Sequence, residues 1–570
     1  MRVAKSGESG EQRSDVSTVL ILAVLVSLFS FLYYFRHNQV LLYGDAVAHI
    51  NIARRVFDSL TPGWKQLGTV WLPLPHILII PFVISNQSWH TGFGASFPFM
   101  IAYVAGMVGI FRLVRDGLAA LTRPGNGPAT PGTRPARLGD PHYLAAWFAA
   151  ALYGVNPNLI YLQSTAMTES LYLALFIWAL VFFSEFVRLV RANDSGREEQ
   201  ASRWLMWCGL FVAGAMLTRY DGWFLGSALA VISVAVVVGR GRLGKRESKE
   251  PRGLLVFLVL VAAAPAFWLA YNAAIYGNAL DFVNGPYSAR AIEQKTESRG
   301  EPHHPGYQNI RVATTYFIKS VELDIGEGNW SKFWLVLAAA GTLLAVSAIR
   351  SLSIWLLLWL PLPFYALSIA YGGVPVFVPT WWPFSYYNLR YGLQLLPAIA
   401  VFSAVTLYFL VTRVQSRRWK VAVPFTGFAL LALSNALIWR AQPVCLREAI
   451  ANSRTRIGFE KSLAKELVRL PPSSTLLMYI GDHGGALQDA GIPLGRVIQE
   501  GNHGDPRQWG KEGMWQRALQ APNRYADFAV AFDNDPVAKS AQEHHLPALV
   551  VIQTTGQPRA TIYRTRQLIR

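Results

Sequence analysis

The chain is 570 residues long, 52% hydrophobic and 13% aromatic, with only 15% charged residues, proportions that exclude an ordinary water-soluble protein and point to a lipid solvent. Its formal charge of +18 raises nucleic acid as a partner, because basic proteins gain affinity by displacing counterions from phosphates. The basic residues cluster instead in short loops between apolar segments, Arg112 to Arg137, Arg188 to Arg203, Arg240 to Arg252 and Arg413 to Lys420. That is the positive-inside signature of cytoplasmic loops, so no nucleic-acid partner is expected.

Residues 1–16 read as a polar cytoplasmic tail. The apolar run Ser17 to Phe35 lacks an Ala-x-Ala cleavage pattern and is a retained first span. Hydropathy and loop charge together place eleven spans at 17–36, 96–114, 143–162, 169–188, 204–219, 223–239, 254–275, 332–349, 352–371, 392–412 and 421–439. An odd count puts the N-terminus in the cytoplasm and the C-terminus outside, and all four basic loops then fall inside. WLPLPHILIIPFVI, Trp71 to Ile84, is too short to cross and is interrupted by Pro73, Pro75 and Pro81, so it is expected on the outer membrane surface, with the stretch after Asp45 as a second interfacial helix. The outer loop Tyr276 to Ser331 is polar and suits either a mobile lid or a disordered connector.

After Arg440 the composition becomes that of a soluble domain. STLLMYIGDHGG and PALVVIQTTG read as short buried strands and FEKSLAKELVRL as a helix. The expected fold is therefore mainly α: a polytopic transmembrane bundle over 17–440, interfacial helices in its first outer loop, and a small extracytoplasmic α/β domain over 441–570. Cys208 and Cys445 fall at different depths, so no disulfide is expected. No internal repeat of the transporter type is visible.

In this topology the polar motifs all reach the outer side: Gly44-Asp45 through His49, Thr168-Glu169, Thr218-Arg219-Tyr220-Asp221, and Tyr387-Asn388-Leu389-Arg390-Tyr391. Ionisable groups at span ends carry a free-energy cost unless paired or used, which makes them candidates for function. Asp45 suits a catalytic carboxylate or the cap of the helix that follows it; His49 lies one turn further on the same face, and Arg54 and Arg55 close that segment. Glu169 could bind a metal or a sugar hydroxyl, or serve as a first-turn charge favoured by the helix dipole. Arg219 and Asp221 could pair with each other. Arg390, between Asn388 and Tyr391, could hold a phosphate or anchor the interface within an aromatic belt.

The chemistry these residues suit is glycosyl transfer from a polyprenyl phosphate sugar. A phosphate departs as a stable anion and needs no general acid, so one carboxylate suffices to take the acceptor hydroxyl proton. Arginines or a divalent metal would stabilise charge developing on the phosphate. Glycoside hydrolysis, in contrast, requires a second carboxyl group as acid or nucleophile.

With Asp45 in GDAVAHINIARR, the WLPLPHILIIPF segment, Glu169 in NPNLIYLQSTAMTESLYLALF and NLRYGLQLLP before a late span, residues 17–412 resemble the GT-C superfamily of membrane glycosyltransferases, which includes protein O-mannosyltransferases, aminoarabinose transferases and oligosaccharyltransferase catalytic subunits. The resemblance implies Asp45 as catalytic base, Glu169 as a second acidic residue near the donor phosphate or a metal, a polyprenyl phosphate donor and inversion at the anomeric carbon. Any divalent metal would fall to Asp45 and Glu169. The acceptor class stays open among glycan, lipid and protein, and the implied location is the plasma membrane. Gly44-Asp45 is followed by Ala46, where the O-mannosyltransferases have an Asp-Glu pair, and the Trp-Trp-Asp-Tyr-Gly motif of oligosaccharyltransferases is missing. Two other classes compete: a multi-pass transporter, and a saccharide polymerase or ligase using a lipid pyrophosphate donor.

Overall fold

The computed structural model describes residues 10–121, 140–192, 197–241, 250–348, 350–504 and 512–566. Much of the basic loop Arg112 to Arg137, and parts of Arg188 to Arg203 and Arg240 to Arg252, lie outside the described residues, as do the first nine residues of the tail. Among the described residues nine helices are long and apolar enough to cross a membrane: Asp15–Arg36, Gly94–Ala119, Glu169–Ala192, Asp221–Gly239, Arg252–Tyr276, Asn329–Ser347, Leu352–Tyr371, Leu389–Arg413 and the long segment Arg417–Leu467. Each coincides with an expected span.

The two remaining expected spans differ for identifiable reasons. The single span expected over 143–162 is two helices, Pro141–Gly154 and Pro157–Gln163. Pro157 cannot donate to the preceding turn and disfavours helical geometry at Asn156. The Asn156 side chain then caps the second helix by accepting from the Asn158 and Leu159 amides. The span expected over 204–219 is the helix Glu198–Met216, which begins earlier and carries Glu198 and Glu199 in its first turn.

Packing is densest around Leu396–Arg413, buried along most of its length. It lies against Asn329–Ala348 and Pro141–Gly154. Gly341 permits that approach, because a Cβ there would overlap the carbonyl of Phe402.

In the first outer segment the helix Gly44–Arg55 is more enclosed than an interfacial position alone requires: Ala46, Val47, His49, Ile50, Asn51, Ile52, Ala53 and Arg54 are all buried, because it is covered by residues of the C-terminal region. The Asn51 amide donates to Gln488 Oε1 at 3.2 Å. The proline-rich stretch forms the short helix Pro73–Ile79 and one further turn, Ile80–Phe82, too short to span. The loop expected as a lid or disordered connector contains helices. Ser288 caps the helix Ala289–Ser298, and Glu293 on that helix receives His303 and His304, each at 3.0 Å. The helix Ile310–Ile325 buries Phe317, Val321, Asp324 and Ile325.

Beyond the helix Val444–Leu467 lies a five-stranded sheet of β1 (Leu476–Met478), β2 (Val497–Ile498), β3 (Phe528–Phe532), β4 (Ala548–Ile552) and β5 (Ala560–Arg564) in the order β2-β1-β3-β5-β4. β1 pairs in parallel with β2 and β3, while β5 runs antiparallel to β3 and β4. β1 and β4 occur where the two apolar runs place them; β1 is buried as expected, whereas β4, at the sheet edge, is largely exposed. Both cysteines are buried and free.

Gly341→Ala should force the helices Asn329–Ala348 and Leu396–Arg413 apart, at an overpacking cost of about 1–3 kcal/mol. The expected result is a melting temperature several degrees lower for the detergent-purified protein, measured by thermal shift.

Candidate active site

Segments far apart in sequence meet at the end of the helical bundle nearest the sheet. Asp45 sits in the first turn of Gly44–Arg55, but the N-cap position belongs to Tyr43, with no side-chain cap; the carboxylate is therefore free of the capping role that its position suggested. Glu169 likewise stands in the first turn of Glu169–Ala192, where unpaired amides favour an anion. Arg390 belongs to the 3₁₀ turn Leu389–Leu395, which Asn388 enters in a left-handed conformation with φ 56°, one that asparagine adopts more readily than most residues. Glu448 lies early in Val444–Leu467.

The Arg390 guanidinium joins three of these segments to its own. Nη2 donates to Asp45 Oδ2 at 2.5 Å, Nε to Glu169 Oε1 at 3.2 Å and Nη1 to Glu448 Oε1 at 3.1 Å. Arg219 approaches the same Glu169 oxygen at 3.3 Å, donates to Thr168 Oγ1 at 3.1 Å and to the Tyr365 hydroxyl at 2.7 Å, and lies 3.5 Å from Asp221. Tyr365 donates onward to Asp221 Oδ2 at 3.0 Å. The Tyr391 ring lies against both cations, 5.0 Å from Arg219 and 5.1 Å from Arg390. The side chains of Glu169 and Glu448 are 1% exposed and that of Arg390 7%, whereas Asp45 is 39% exposed. Asp45 is thus the member of the cluster open to a reactant.

The other candidates fall on either side of this cluster. His49 is buried, its Nδ1 2.8 Å from His76 Nε2. Burial pushes its pKa down to about 4, against the pull of Asp45 and helped by Arg390 and Arg219, so it is neutral at physiological pH. Arg54 is a structural clamp, donating to Asp58 and Asn86 side chains and to the Val83 and Ile84 carbonyls. Arg55 reaches Gln66 and Gln499, away from the cluster. The Asn388 side chain donates to the Pro375 carbonyl and holds its turn.

Sequence reasoning missed Glu448, Tyr365, His76 and Asp324. Burial holds the Asp324 carboxyl well above the usual range, and the Cys445 thiol donates to it at 3.4 Å. Glu448 had a legible signal: it falls three residues after Cys445 and one before Ala449, both buried, so it lies on an apolar stripe that tolerates a charge only if it is paired.

Among the described residues no group of three or more His, Cys, Asp or Glu side chains is arranged to hold a metal ion. An ion between Asp45 and Glu169 would have to displace the guanidinium that now joins them, so the pair does not fit a metal as it stands.

This architecture, a helical bundle with a small sheet domain at one end, is similar in fold to ArnT from Cupriavidus metallidurans. Its apo crystal structure matches with a TM-score of 0.53 at 13% identity, covering 98% of each chain. The form bound to undecaprenyl phosphate matches with a TM-score of 0.55 at 13% identity, covering 96% of this chain and 98% of that one. No protein-family model matches the chain, and no curated protein matches it in sequence.

Two outcomes follow. Glu169→Gln leaves two buried arginines short of a countercharge; breaking a buried pair costs about 3–5 kcal/mol, so the yield of folded protein and its melting temperature should both fall. For His49 the folded pKa of about 4 lies below the ordinary 6.5. Its contribution to stability is thus fully present above pH 6.5 and is lost as pH falls toward 4. The melting temperature should drop across that window, and by less in His49→Gln.

Proposed function

We propose that this protein transfers a sugar from a polyprenyl phosphate donor to a hydroxyl of a glycan, lipid or protein acceptor, on the non-cytoplasmic face of the plasma membrane. The observation that carries this reading is the Arg390 guanidinium bound at once to an accessible carboxylate, Asp45, and a buried one, Glu169. That arrangement sets a base beside a cation suited to a phosphate. The structural match to ArnT in its form bound to undecaprenyl phosphate supports the donor class.

The helices support the sidedness of this reading. Glu169 opens and Arg191 ends the same helix, 22 residues and therefore roughly 33 Å apart along its axis. The cluster and the basic residues Arg188 and Arg191 thus lie toward opposite ends of that helix, and positive loops mark the cytoplasm. The N-terminus is then cytoplasmic, and the 441–570 domain is extracytoplasmic beside the site.

At rest, Arg390 neutralises Asp45. A donor phosphate entering beside Arg390 and Arg219 competes for these guanidinium groups and releases Asp45. The acceptor oxygen then attacks the anomeric carbon from the face opposite the phosphate, and Asp45 takes its proton. The bond from the anomeric carbon to the phosphate oxygen breaks, and both electrons leave with the lipid phosphate. Inversion follows from the single displacement. Glu169 acts through the arginines, fixing where their charge sits.

Purified protein, labelled polyprenyl phosphate sugars and a membrane extract test this directly, by identifying which molecule becomes labelled. Asp45→Asn should lower transfer by about 10²–10⁴-fold while undecaprenyl phosphate still binds. Near-normal transfer by that variant would reject Asp45 as the base, and uptake into sealed vesicles without a glycosylated product would favour a transporter.

A further inference from the structure

We infer that the helix Val444–Leu467 positions both halves of the catalytic pair, Glu448 fixing Arg390 and Arg456 fixing the approach to Asp45; this rests on the roles proposed above for those two residues. The C-terminal region is then part of the active-site frame and not an appendage beside it.

Both oxygens of Glu448 are engaged by consecutive residues of one turn. Oε1 accepts from Arg390 Nη1 at 3.1 Å and from the Asn388 amide at 3.0 Å, and Oε2 accepts from the Leu389 amide at 2.9 Å. One buried carboxylate therefore holds the left-handed backbone at Asn388 and the guanidinium that this backbone aims. Such a charge is stable out of water only while its donors stay in place. The turn and the carboxylate thus constrain each other.

Eight residues further along the helix, roughly 12 Å, Arg456 grips the other half. Its Nη2 donates to the carbonyls of Leu41 and Leu42, each at 3.0 Å, while Nη1 is held by Glu460 at 2.6 Å. Those carbonyls belong to the turn that delivers Gly44 and Asp45. The Tyr43 hydroxyl donates to the Cys445 carbonyl at 2.9 Å, a third tie between this turn and the helix. On the far side of the Asp45 helix, Gln488 accepts from Asn51 and donates to the Trp89 carbonyl at 2.7 Å.

A misplacement of about 1 Å in a reacting pair can cost about a hundredfold in rate, so the two grips should be visible in kinetics as well as in stability. They should also separate. Glu448 touches the phosphate-facing arginine, whereas Arg456 touches the approach to the base and its own helix neighbour Glu460.

The test uses full-length protein in detergent micelles, with undecaprenyl phosphate as the binding probe, the transfer assay described above, and a thermal melt to correct for folded fraction. Glu448→Gln, which keeps the shape and removes the charge, should raise the Kd for undecaprenyl phosphate about tenfold and lower kcat at least about tenfold, with Glu448→Asp recovering part of both. Arg456→Ala should leave that Kd within about twofold of the parent and lower kcat about tenfold. If Glu448→Gln does not fold, Arg456→Ala alone decides, through the split between unchanged binding and lost turnover. Wild-type binding and turnover per folded molecule in both variants would overturn the inference. Should Asp45→Asn retain transfer, the base assignment fails, while a raised Kd in Glu448→Gln still supports control of Arg390 by this helix. Should Asp45→Asn lose transfer while the other two variants match the parent, the positioning inference alone falls.

Discussion

One buried cation organises the catalytic end of this molecule. Arg390 is almost wholly removed from water and meets carboxylates from three other segments, Asp45, Glu169 and Glu448. A charge in that setting is tolerable only when its hydrogen-bonding groups are satisfied. A guanidinium, with five donors in a rigid fork, can meet several acceptors at once where an ammonium could not hold the same geometry. The segments that supply those acceptors are therefore not free to drift independently. The shared arginine sets their separation.

The same logic explains why the Asp45 helix is buried where an interfacial helix would be half exposed. Its polar residues have partners overhead: Asn51 meets Gln488 and receives the Trp89 indole N–H, and the preceding turn meets Arg456. The C-terminal residues take the place that water or headgroups would hold over an amphipathic helix. Asp45, in the first turn of that helix, stays exposed beside the buried guanidinium.

Much of this was legible in the chain itself. Transmembrane helices carry their signal locally, in length and hydropathy: eight expected spans reappear with small boundary shifts, and the ninth reappears as the helix Arg417–Ala441 at the start of the longer segment Arg417–Leu467. Asp45, Glu169, Arg219, Asp221, Arg390 and Tyr391 were readable because charges and tyrosines at span ends on one side are rare without a purpose. What escaped depends on tertiary partners. Arg54 carries the same charge as Arg390 but is consumed by carbonyls that no local pattern announces. Glu448 sits outside the last span, in a helix whose composition reads as soluble. The short strands β2, β3 and β5 owe their state to pairing, which a window of a few residues does not encode. The break at Asn156-Pro157 is written in the sequence, but a hydropathy window averages across it.

The partners of Arg390 are widely spaced along the chain: 345 residues separate it from Asp45 and 221 from Glu169. Synthesis proceeds at roughly 5–20 residues per second, so Asp45 emerges roughly 20–70 seconds before the cation that neutralises it. Through that interval the nascent chain carries an uncompensated carboxylate at the head of the helix Gly44–Arg55. Hydrocarbon would reject it, which keeps the segment at the water boundary until the late spans and the helix after them arrive to close over it.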